Sequence, residues 1–403
     1  MTTTTDVIGS FSDVNTTVET STEPQWACLT HYFADEHVQV VNKMFVYVSC
    51  CFVVIGLIGN ALSMLVFLSP EMRNISSNIY LSVLSISDSA YLISVFLSDI
   101  LTDIRCVHYR EKRFDFENNF DWTCKLLQLL MDLFADYSPC LILAFTFERY
   151  LACYHAVKFR ETRNTLRARI FCLTIFILIF VSICPQHMYH IGLTRDSCGV
   201  LPQYDNIFSM FWAIEVSLYR IIPVLIVASL NVLIGVKIWY LHKNKPSRKS
   251  LHPQQHEMTS LANTSETCKE RKKRAKATSD ERHIQLTVML MVVSSTYILL
   301  YFPVLIHFIM WHFQRRGFHP FSYEAGVIFE KISSMLYIAG FAINFFLYTL
   351  SCKVFRDQLF YVLTSRQSRA EQSTTHKGDA SSGQNALNGV TDHDNRKTSQ
   401  TQL

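Results

Sequence analysis

Charged side chains stand inside or directly beside long apolar segments of this sequence. Glu148 and Arg149 are adjacent and end the apolar part of FTFERYLACYHAV, and Asp88, Asp132 and Asp136 stand within similar segments. A charge buried among apolar side chains is costly, and it marks an ion pair, a proton relay or a ligand contact. The sequence therefore indicates that buried charge pairs are central to the function.

The apolar segments that position these charges are long enough to cross a membrane. The chain has 403 residues, of which 49% are hydrophobic and 17% charged, and its formal net charge is +4. A helix needs about 20 apolar residues to span a bilayer. Seven segments approach or exceed this length: Met44–Leu68, Ile79–Ser98, Leu126–Thr146, Ile170–Met188, Ile207–Trp239, Ile284–Met310 and Val327–Leu350. The alternative that one of them is a buried helix of a soluble domain stays open.

The placement of Lys and Arg predicts the orientation. Residues 1–42 contain neither, whereas both are frequent in residues 149–169, in residues 237–283 and after Leu350. Positively charged loops stay on the cytoplasmic side of a membrane. We therefore expect a multi-pass plasma-membrane protein with its amino terminus outside and its carboxyl terminus in the cytoplasm.

Composition divides the chain into three parts. Residues 1–40 and 364–403 are polar and rich in Ser or Thr, which is typical of disordered tails. The first tail is expected to be extracellular and the second cytoplasmic, with residues 41–363 forming the helical domain between them. Asn15 is followed by two threonines and forms a glycosylation acceptor on the outer side.

Four cysteines are expected on the outer side, where disulfides persist. They are Cys28, Cys106, Cys124 and Cys198. A bond between Cys124 and Cys198 would tie the loop after the fourth segment to the start of the third. Cys28 and Cys106 would then be left to pair with each other or to stay reduced.

Short landmarks follow one another in order along the seven segments. They are Gly59-Asn60, Asp88, Cys124, Glu148-Arg149-Tyr150, Pro223, Pro303 and the NFFLY that contains Asn344 and Tyr348. In type and order they resemble those of the rhodopsin-like, or class A, G-protein-coupled receptors over about Val41–Leu363. The resemblance implies an all-α membrane protein, a seven-transmembrane helix bundle with a short amphipathic cytoplasmic helix, Lys353–Thr364, after the seventh span. It implies a receptor and not an enzyme.

The resemblance also implies an activation switch. In this family the carboxylate at the position of Glu148 neutralises the residue at the position of Arg149 at rest. The arginine is freed when the inner end of span six swings outward, and it then lines the cavity for a G protein. The other switch positions are Tyr150, Tyr301, Pro303, Asn344 and Tyr348. The alternative is that Glu148 and Arg149 only reach towards the headgroups.

Several positions depart from the family pattern, among them Tyr301 in span six and Asn231 in span five. Tyr301 replaces the usual Trp, and Asn231 replaces a Tyr that stabilises the active state. Such changes would bias a pre-existing equilibrium between resting and active forms.

Asp88 is a carboxylate near the middle of the second span. In the family it holds an allosteric sodium ion, and Ser138 and Asn344 match two further members of that site. Phe341 stands where another polar residue is usual. The alternative is a protonated Asp88 that is hydrogen-bonded to Asn60 and Asn344. No other cofactor and no further metal are expected.

Carboxylates are frequent near the outer ends of several spans. Asp132 and Asp136 are four residues apart and share one helix face. The other acids are Asp99, Asp103, Glu215 and Glu330, and Arg220 is the main opposing charge. An acidic pocket attracts a cation, and Tyr219, His307 and Trp311 could stack on it. We expect a short, cationic, amidated neuropeptide, and this pocket resembles that of invertebrate FMRFamide-type receptors.

Other interpretations stay open. Asp136 and Arg220 could form a plain buried salt bridge while the other acids face the headgroups. The ligand could be a non-peptide, or the chain a constitutively active orphan receptor. Met131 and Ile338 occupy the positions of the amine-binding Asp and the retinal-binding Lys, which argues against small amines and a visual pigment. A seven-span transporter is a remote alternative, because it would show internal repeats and we see none in the sequence.

The expected partners are an extracellular peptide, a heterotrimeric G protein and membrane lipids. The resemblance adds arrestin and a receptor kinase at the cytoplasmic tail. Thr401-Gln402-Leu403 matches the pattern of a PDZ-domain ligand. Lys269–Lys276 could contact anionic lipid or the G protein, or could be a solvated charge run. No nucleic-acid partner is expected.

Overall fold

The computed structural model describes residues 36–108, 116–154, 165–193, 198–243, 263–314 and 322–364. The predictions for Asn15, Cys28, Thr401–Leu403 and most of the two tails lie outside the described residues. The side chains of Cys106 and of Lys269–Lys276 lie outside them as well, so the Cys28–Cys106 pairing stays a prediction.

Seven helices of the described chain are long and apolar enough to cross a membrane. We call them spans one to seven: Glu36–Phe67, Ser76–Ile104, Asp121–Tyr154, Thr165–His190, Pro202–Tyr240, Ile284–Gln314 and Glu324–Ala342. They correspond in order to the seven predicted segments, and most extend beyond them by a turn or more. The prediction of seven membrane-spanning helices is therefore confirmed. The alternative, that one segment is a buried helix of a soluble domain, is not supported.

The elements within and between the spans are as follows. Helix α1 is Glu36–Phe67, α2 Ser76–Val95, α3 Leu101–His108, α4 Phe116–Asn119, α5 Asp121–Tyr154, α6 Thr165–His190, α7 Asp205–Val216, α8 Ile222–Lys243, α9 Asn263–Gln314, α10 Tyr323–Ala342 and α11 Asn344–Ser351. Residues 353–364 form a last helix, α12. π-helical turns at Phe96–Ile100 and Ser217–Ile221 interrupt spans two and five, and Pro202–Tyr204 is a 3₁₀ turn.

The seventh predicted segment is broken in the structure. Helix α10 ends at Ala342, Ile343 separates the two helices with φ −89° and ψ −4°, and α11 begins at Asn344. The break lies directly before Asn344, whose side chain reaches Asp88. A polar contact within the bundle therefore coincides with the interruption of the helix.

Span two lies at the centre of the bundle and span four at its edge. Of the apolar window of each helix, 67% is buried for span two but only 22% for span four. Span one approaches closely at Gly56, where an added Cβ would lie 2.5 Å from Leu92 and 2.9 Å from the Ala342 backbone. The space at Gly56 therefore admits the hydrogen atom of a glycine but no larger side chain.

A short hairpin covers one end of the bundle. Strand β1, Ile191–Leu193, pairs antiparallel with β2, Cys198–Val200. Cys198 forms a disulfide with Cys124, with 5.5 Å between their Cα atoms, which confirms this predicted bond. The amide of Leu193 also donates to Asp121 at 3.0 Å. We call this end the disulfide end. The sequence did not predict the hairpin.

The opposite end carries Arg149, and we call it the Arg149 end. Helix α12 packs there through Phe355, which is fully buried and lies 5.3 Å from Phe67 and 5.5 Å from Tyr348 between ring centroids. A helix after the seventh span was predicted at these residues and is confirmed.

Candidate functional site

Three carboxylates meet one guanidinium within the half of the bundle near the disulfide end. Arg220 Nε donates to Asp136 Oδ1 at 2.5 Å, and its Nη2 donates to Asp132 Oδ1 at 2.8 Å. Glu215 Oε1 is 3.9 Å from the same Nη2. Together with His187 of span four we call these residues the acidic cluster. The predicted shared face of Asp132 and Asp136 is confirmed, and so is the Asp136–Arg220 salt bridge.

The backbone of span five explains how Arg220 reaches span three. Arg220 belongs to the π-helical turn Ser217–Ile221, which precedes Pro223. A π turn adds a residue to the helix and rotates the side chains that follow, and such turns are frequent at functional sites. The proline has no backbone N–H, so the regular hydrogen-bond ladder is already incomplete there.

Span four supplies two neighbouring side chains to the cluster. Gln186 Nε2 donates to Glu215 Oε2, and His187 Nε2 lies 3.0 Å from Asp132 Oδ2. Both residues are buried. Sequence reasoning missed them, although two adjacent polar residues near the end of an apolar segment are the kind of signal that marks a functional site.

The acidic cluster contains more carboxylates than cations. The buried side chains of Asp136 and Glu215 are in hydrogen-bond contact with each other, a contact that needs one proton between the two carboxyl groups. Asp136, Glu215 and Arg220 are at most 4% exposed, whereas the Asp132 side chain is 20% exposed. Even with this shared proton, two negative charges face Arg220, so one remains without a cation while His187 is neutral. Asp132 is the member through which an incoming group can reach the cluster.

Aromatic rings border the cluster. Arg220 lies 5.7 Å from the centre of the Phe308 ring, which suits a cation–π contact. Trp212 packs edge-on against both Phe308 and Trp311, at 5.3 and 4.9 Å. His307 neighbours Phe308 at 6.1 Å, and Glu330 is exposed. The predicted aromatic wall is thus built around Trp212 and Phe308, which the sequence analysis did not name.

The expectation that Tyr219 lines the same pocket is wrong. Its hydroxyl lies 3.0 Å from that of Ser182 on span four, at an exposed position. Adjacent helical residues point about 100° apart. Since Arg220 faces the bundle interior, Tyr219 faces the groove between spans four and five.

The remaining acids form a separate group between spans two and seven. Asp103 Oδ2 accepts from Lys331 Nζ at 2.7 Å, and Lys331 also lies 4.4 Å from the centre of the Phe45 ring. Asp99, in the π-helical turn of span two, accepts from Ser98 at 3.2 Å. Asp103 is therefore paired within the bundle rather than turned to the headgroups.

Asp88 is held by two donors. Ser138 Oγ donates to Oδ1 at 2.8 Å, and Asn344 Nδ2 donates to Oδ2 at 2.7 Å. The contact expected between Asp88 and Asn60 is wrong, because Asn60 donates to the Phe341 carbonyl at 3.1 Å. This hydrogen bond joins span one to span seven.

The residues around Asp88 fit a sodium ion only in part. They offer one carboxylate and the Ser138 hydroxyl, and Asn344 turns its N–H group, not its oxygen, towards Asp88. Phe341, where a further polar ligand is expected, stacks on Tyr91 at 4.0 Å. Hard cations take several oxygen ligands. We therefore assign no step to an ion here.

Serines of span two bind both charges at the Arg149 end. Ser76 and Ser77 donate to the two carboxylate oxygens of Glu148, the second at 3.0 Å, and Arg149 Nη2 donates to Ser77 Oγ. Arg149 is only 3% exposed. The alternative that Arg149 simply reaches for the headgroups is therefore wrong. Tyr150 points elsewhere and packs against Tyr154 at 4.8 Å.

The other switch positions lie along spans five to seven. Tyr301, two residues before Pro303, is 1% exposed and stacks on Tyr297 at 5.6 Å. Asn231 donates to Ser294 Oγ of span six at 2.8 Å. Tyr348 is fully buried. Spans five and six are thus joined by a polar contact at the position where a Tyr was expected.

Known proteins are similar to this chain in sequence. Residues 59–352 match the family described as 7 transmembrane receptor (rhodopsin family). The chain is 26% identical over 344 residues to growth hormone secretagogue receptor type 1 of Oryctolagus cuniculus, covering 81% of this chain and 82% of that receptor. It is 24% identical over 352 residues to the thyrotropin-releasing hormone receptor of Homo sapiens, covering 84% and 81%. The chain therefore belongs to the rhodopsin family of seven-transmembrane receptors, as a multi-pass plasma-membrane protein and not an enzyme.

Proposed function

We propose that this receptor binds a short, cationic, amidated neuropeptide at the disulfide end and activates a heterotrimeric G protein at the Arg149 end. The disulfide end would then be extracellular and the Arg149 end cytoplasmic. The observation that carries the proposal is the excess of carboxylates in the acidic cluster, with Asp132 accessible. Both relatives are named for hormones or hormone secretagogues, which supports a hormone or peptide ligand.

Charge favours a cationic ligand. Arg220 neutralises one charge of the group Asp132, Asp136 and Glu215, and with one proton shared by Asp136 and Glu215 a single negative charge remains while His187 is neutral. A ligand guanidinium or amine that reaches Asp132 would neutralise it in a site with little water. Charge pairs of this kind are stronger than exposed ones, because solvent screens them less.

The excess of carboxylates favours an amidated end over a free carboxylate. A terminal carboxamide brings two N–H donors, whereas a free carboxylate brings none and adds another negative charge. The aromatic rings of Trp212, Trp311 and Phe308 would pack against an aromatic side chain of the ligand.

The Arg149 end supports coupling to a G protein. Arg149 is buried and held by the hydroxyl of Ser77, so an outward movement of its neighbours could release it. A buried guanidinium needs hydrogen-bond partners. If Arg149 lost its contact with Ser77, its positive charge would become available to an incoming G protein.

A ligand screen tests the proposal. Cells that express the chain with a promiscuous G protein would be exposed to amidated peptides, amines and lipids, and calcium would be recorded. FMRFamide-type peptides form the first set. We expect a response to Arg-containing amidated peptides, with potency about tenfold or more lower in Asp132→Asn, Glu215→Gln, as a buried charge pair is worth about 2–5 kcal/mol.

The exposed Glu324→Gln serves as the matched control, since this carboxylate lies outside the acidic cluster at the start of span seven. Its potency should equal that of the wild type. Unchanged potency in the double variant, with surface expression verified, would refute the acidic pocket. Responses to amines or lipids alone would keep the receptor and reject the peptide.

A further inference from the structure

Both ring nitrogens of His187 face oxygen atoms that can only accept. Nε2 lies 3.0 Å from Asp132 Oδ2, and Nδ1 lies 3.0 Å from the carbonyl oxygen of Ile183. A neutral imidazole carries a proton on one nitrogen only, so it can satisfy one of these contacts. The doubly protonated imidazolium satisfies both. The geometry of the site therefore matches the charged form.

We propose that His187 is a positioning residue that holds Asp132 as an imidazolium, and that its proton competes with the ligand cation for this carboxylate. The inference rests on the proposed function in one respect: it takes Asp132 as the contact for the cation. It adds that span four, through His187, sets the affinity of the acidic cluster according to extracellular pH.

The groups that face His187 account for the charge balance. Span three presents Asp132 and Asp136, and span five presents Arg220 and Glu215 against the same carboxylates. The Phe208 ring lies edge-on at 6.5 Å. With one proton shared by Asp136 and Glu215 and with Arg220 charged, the cluster has a net charge of 0 when His187 is protonated and −1 when it is neutral.

Gln186 and His187 of span four contact different carboxylates of the acidic cluster. Gln186 donates to Glu215 without any change of charge, while His187 reaches Asp132, whose side chain is 20% exposed. His187 itself is fully buried. Because the side chain of Asp132 is partly exposed, protons can reach His187 along Asp132. This is also the route that we assign to the ligand. Proton and ligand thus meet at one carboxylate.

The sign of the effect follows from the charge balance. A histidine in water loses its proton near pH 6.5. Stabilisation by the imidazolium is present at acid pH and is lost as pH rises. The ligand cation prefers the cluster in which His187 is neutral, so its affinity should rise with pH. One competing proton changes the affinity by at most about tenfold per pH unit.

The first experiment needs no ligand. The full chain is purified in lipid nanodiscs, and its Tm is measured from pH 5.5 to 8.0 for the wild type, His187→Gln and His190→Gln. We expect the wild type and His190→Gln to lose Tm as pH rises, and His187→Gln to lack this step. His190 is the matched control because it lies on the same helix and packs against the same Phe208 ring, at 6.5 Å.

A second reading uses the wild type alone, so it does not depend on folding of the variant. In ¹⁵N-histidine-labelled receptor, one imidazole protected from solvent should carry protons on both nitrogens at pH 6.5. Absence of such a signal, or a pH step that is equal in His187→Gln and the wild type, overturns the proposal.

The second experiment tests competition, with L-argininamide as the probe. It carries a guanidinium and a terminal amide. Its stabilisation of the wild type should correspond to an affinity that rises up to about tenfold per pH unit, and the affinity should not change with pH in His187→Gln. Equal binding at all pH values in the wild type overturns the competition. No binding at any pH, together with an intact His187 step, contradicts the cation pocket of the proposed function instead.

Discussion

Replacing Arg220 by methionine is expected to cause the largest loss of stability among single substitutions in the acidic cluster. It removes the counter-ion that contacts Asp132 and Asp136, both within the bundle. Breaking a buried ion pair from one side costs about 3–5 kcal/mol, because a charge is left without compensation. We expect surface expression and the Tm of the purified receptor to fall sharply.

Two further variants make this expectation specific. Arg220→Met combined with Asp136→Leu removes both charges of the 2.5 Å pair and leaves Asp132 with His187, so most of the lost Tm should return. Lys125→Met breaks the more exposed pair with Asp121 and should cost about 0.5 kcal/mol or less. A stability of Arg220→Met equal to that of the wild type would show that the cluster does not hold spans three and five together.

Replacing Arg149 by alanine is expected to lower agonist-stimulated nucleotide exchange on the G protein strongly. The substitution removes the guanidinium that is buried beside Ser77 and that we expect to meet the G protein. A charge-assisted hydrogen bond is worth about 1.5–3 kcal/mol, which corresponds to a loss of roughly ten- to a hundredfold. Exchange is measured on membranes with equal receptor content.

Arg167→Ala is the matched control for this variant. Arg167 is an exposed arginine at the same end of the bundle, at the start of span four. It should retain wild-type exchange, and both variants should bind the agonist. Normal exchange by Arg149→Ala would contradict the switch that we assign to this residue.

The seven spans and the disulfide could be predicted because they depend on local composition. Long apolar segments are recognisable whatever their neighbours, and Cys124 and Cys198 lie at segment borders on the same predicted side. The break at Ile343 could not be predicted in this way. It coincides with the contact between Asn344 and Asp88, which joins residues that are far apart in sequence.

The acidic cluster was predicted in part. Asp132 and Asp136 share a face by helix periodicity alone, and the structure brings Glu215 and Arg220 to that face. Spans four and five are apolar on all sides, so their sequences do not indicate which face points into the bundle. For this reason the sequence analysis placed Tyr219 in the pocket and missed His187.

The Arg149 end shows the same limitation. The sequence identifies Glu148 and Arg149 by their position after an apolar segment, but their partners come from another span. Ser76 and Ser77 are ordinary residues at the start of span two, and only the packing of spans two and three makes them hydrogen-bond donors and acceptors for both charges. Side-chain partners across spans therefore require the structure.

The central claim is that Asp132 receives a cationic group of the ligand, and a double-mutant cycle tests it most directly. An Arg-containing amidated agonist and its citrulline analogue, which keeps the shape of arginine without its charge, are compared on the wild type and on Asp132→Asn. We predict that citrulline lowers potency about tenfold or more on the wild type and much less on the variant. Equal losses on both receptors would contradict the account.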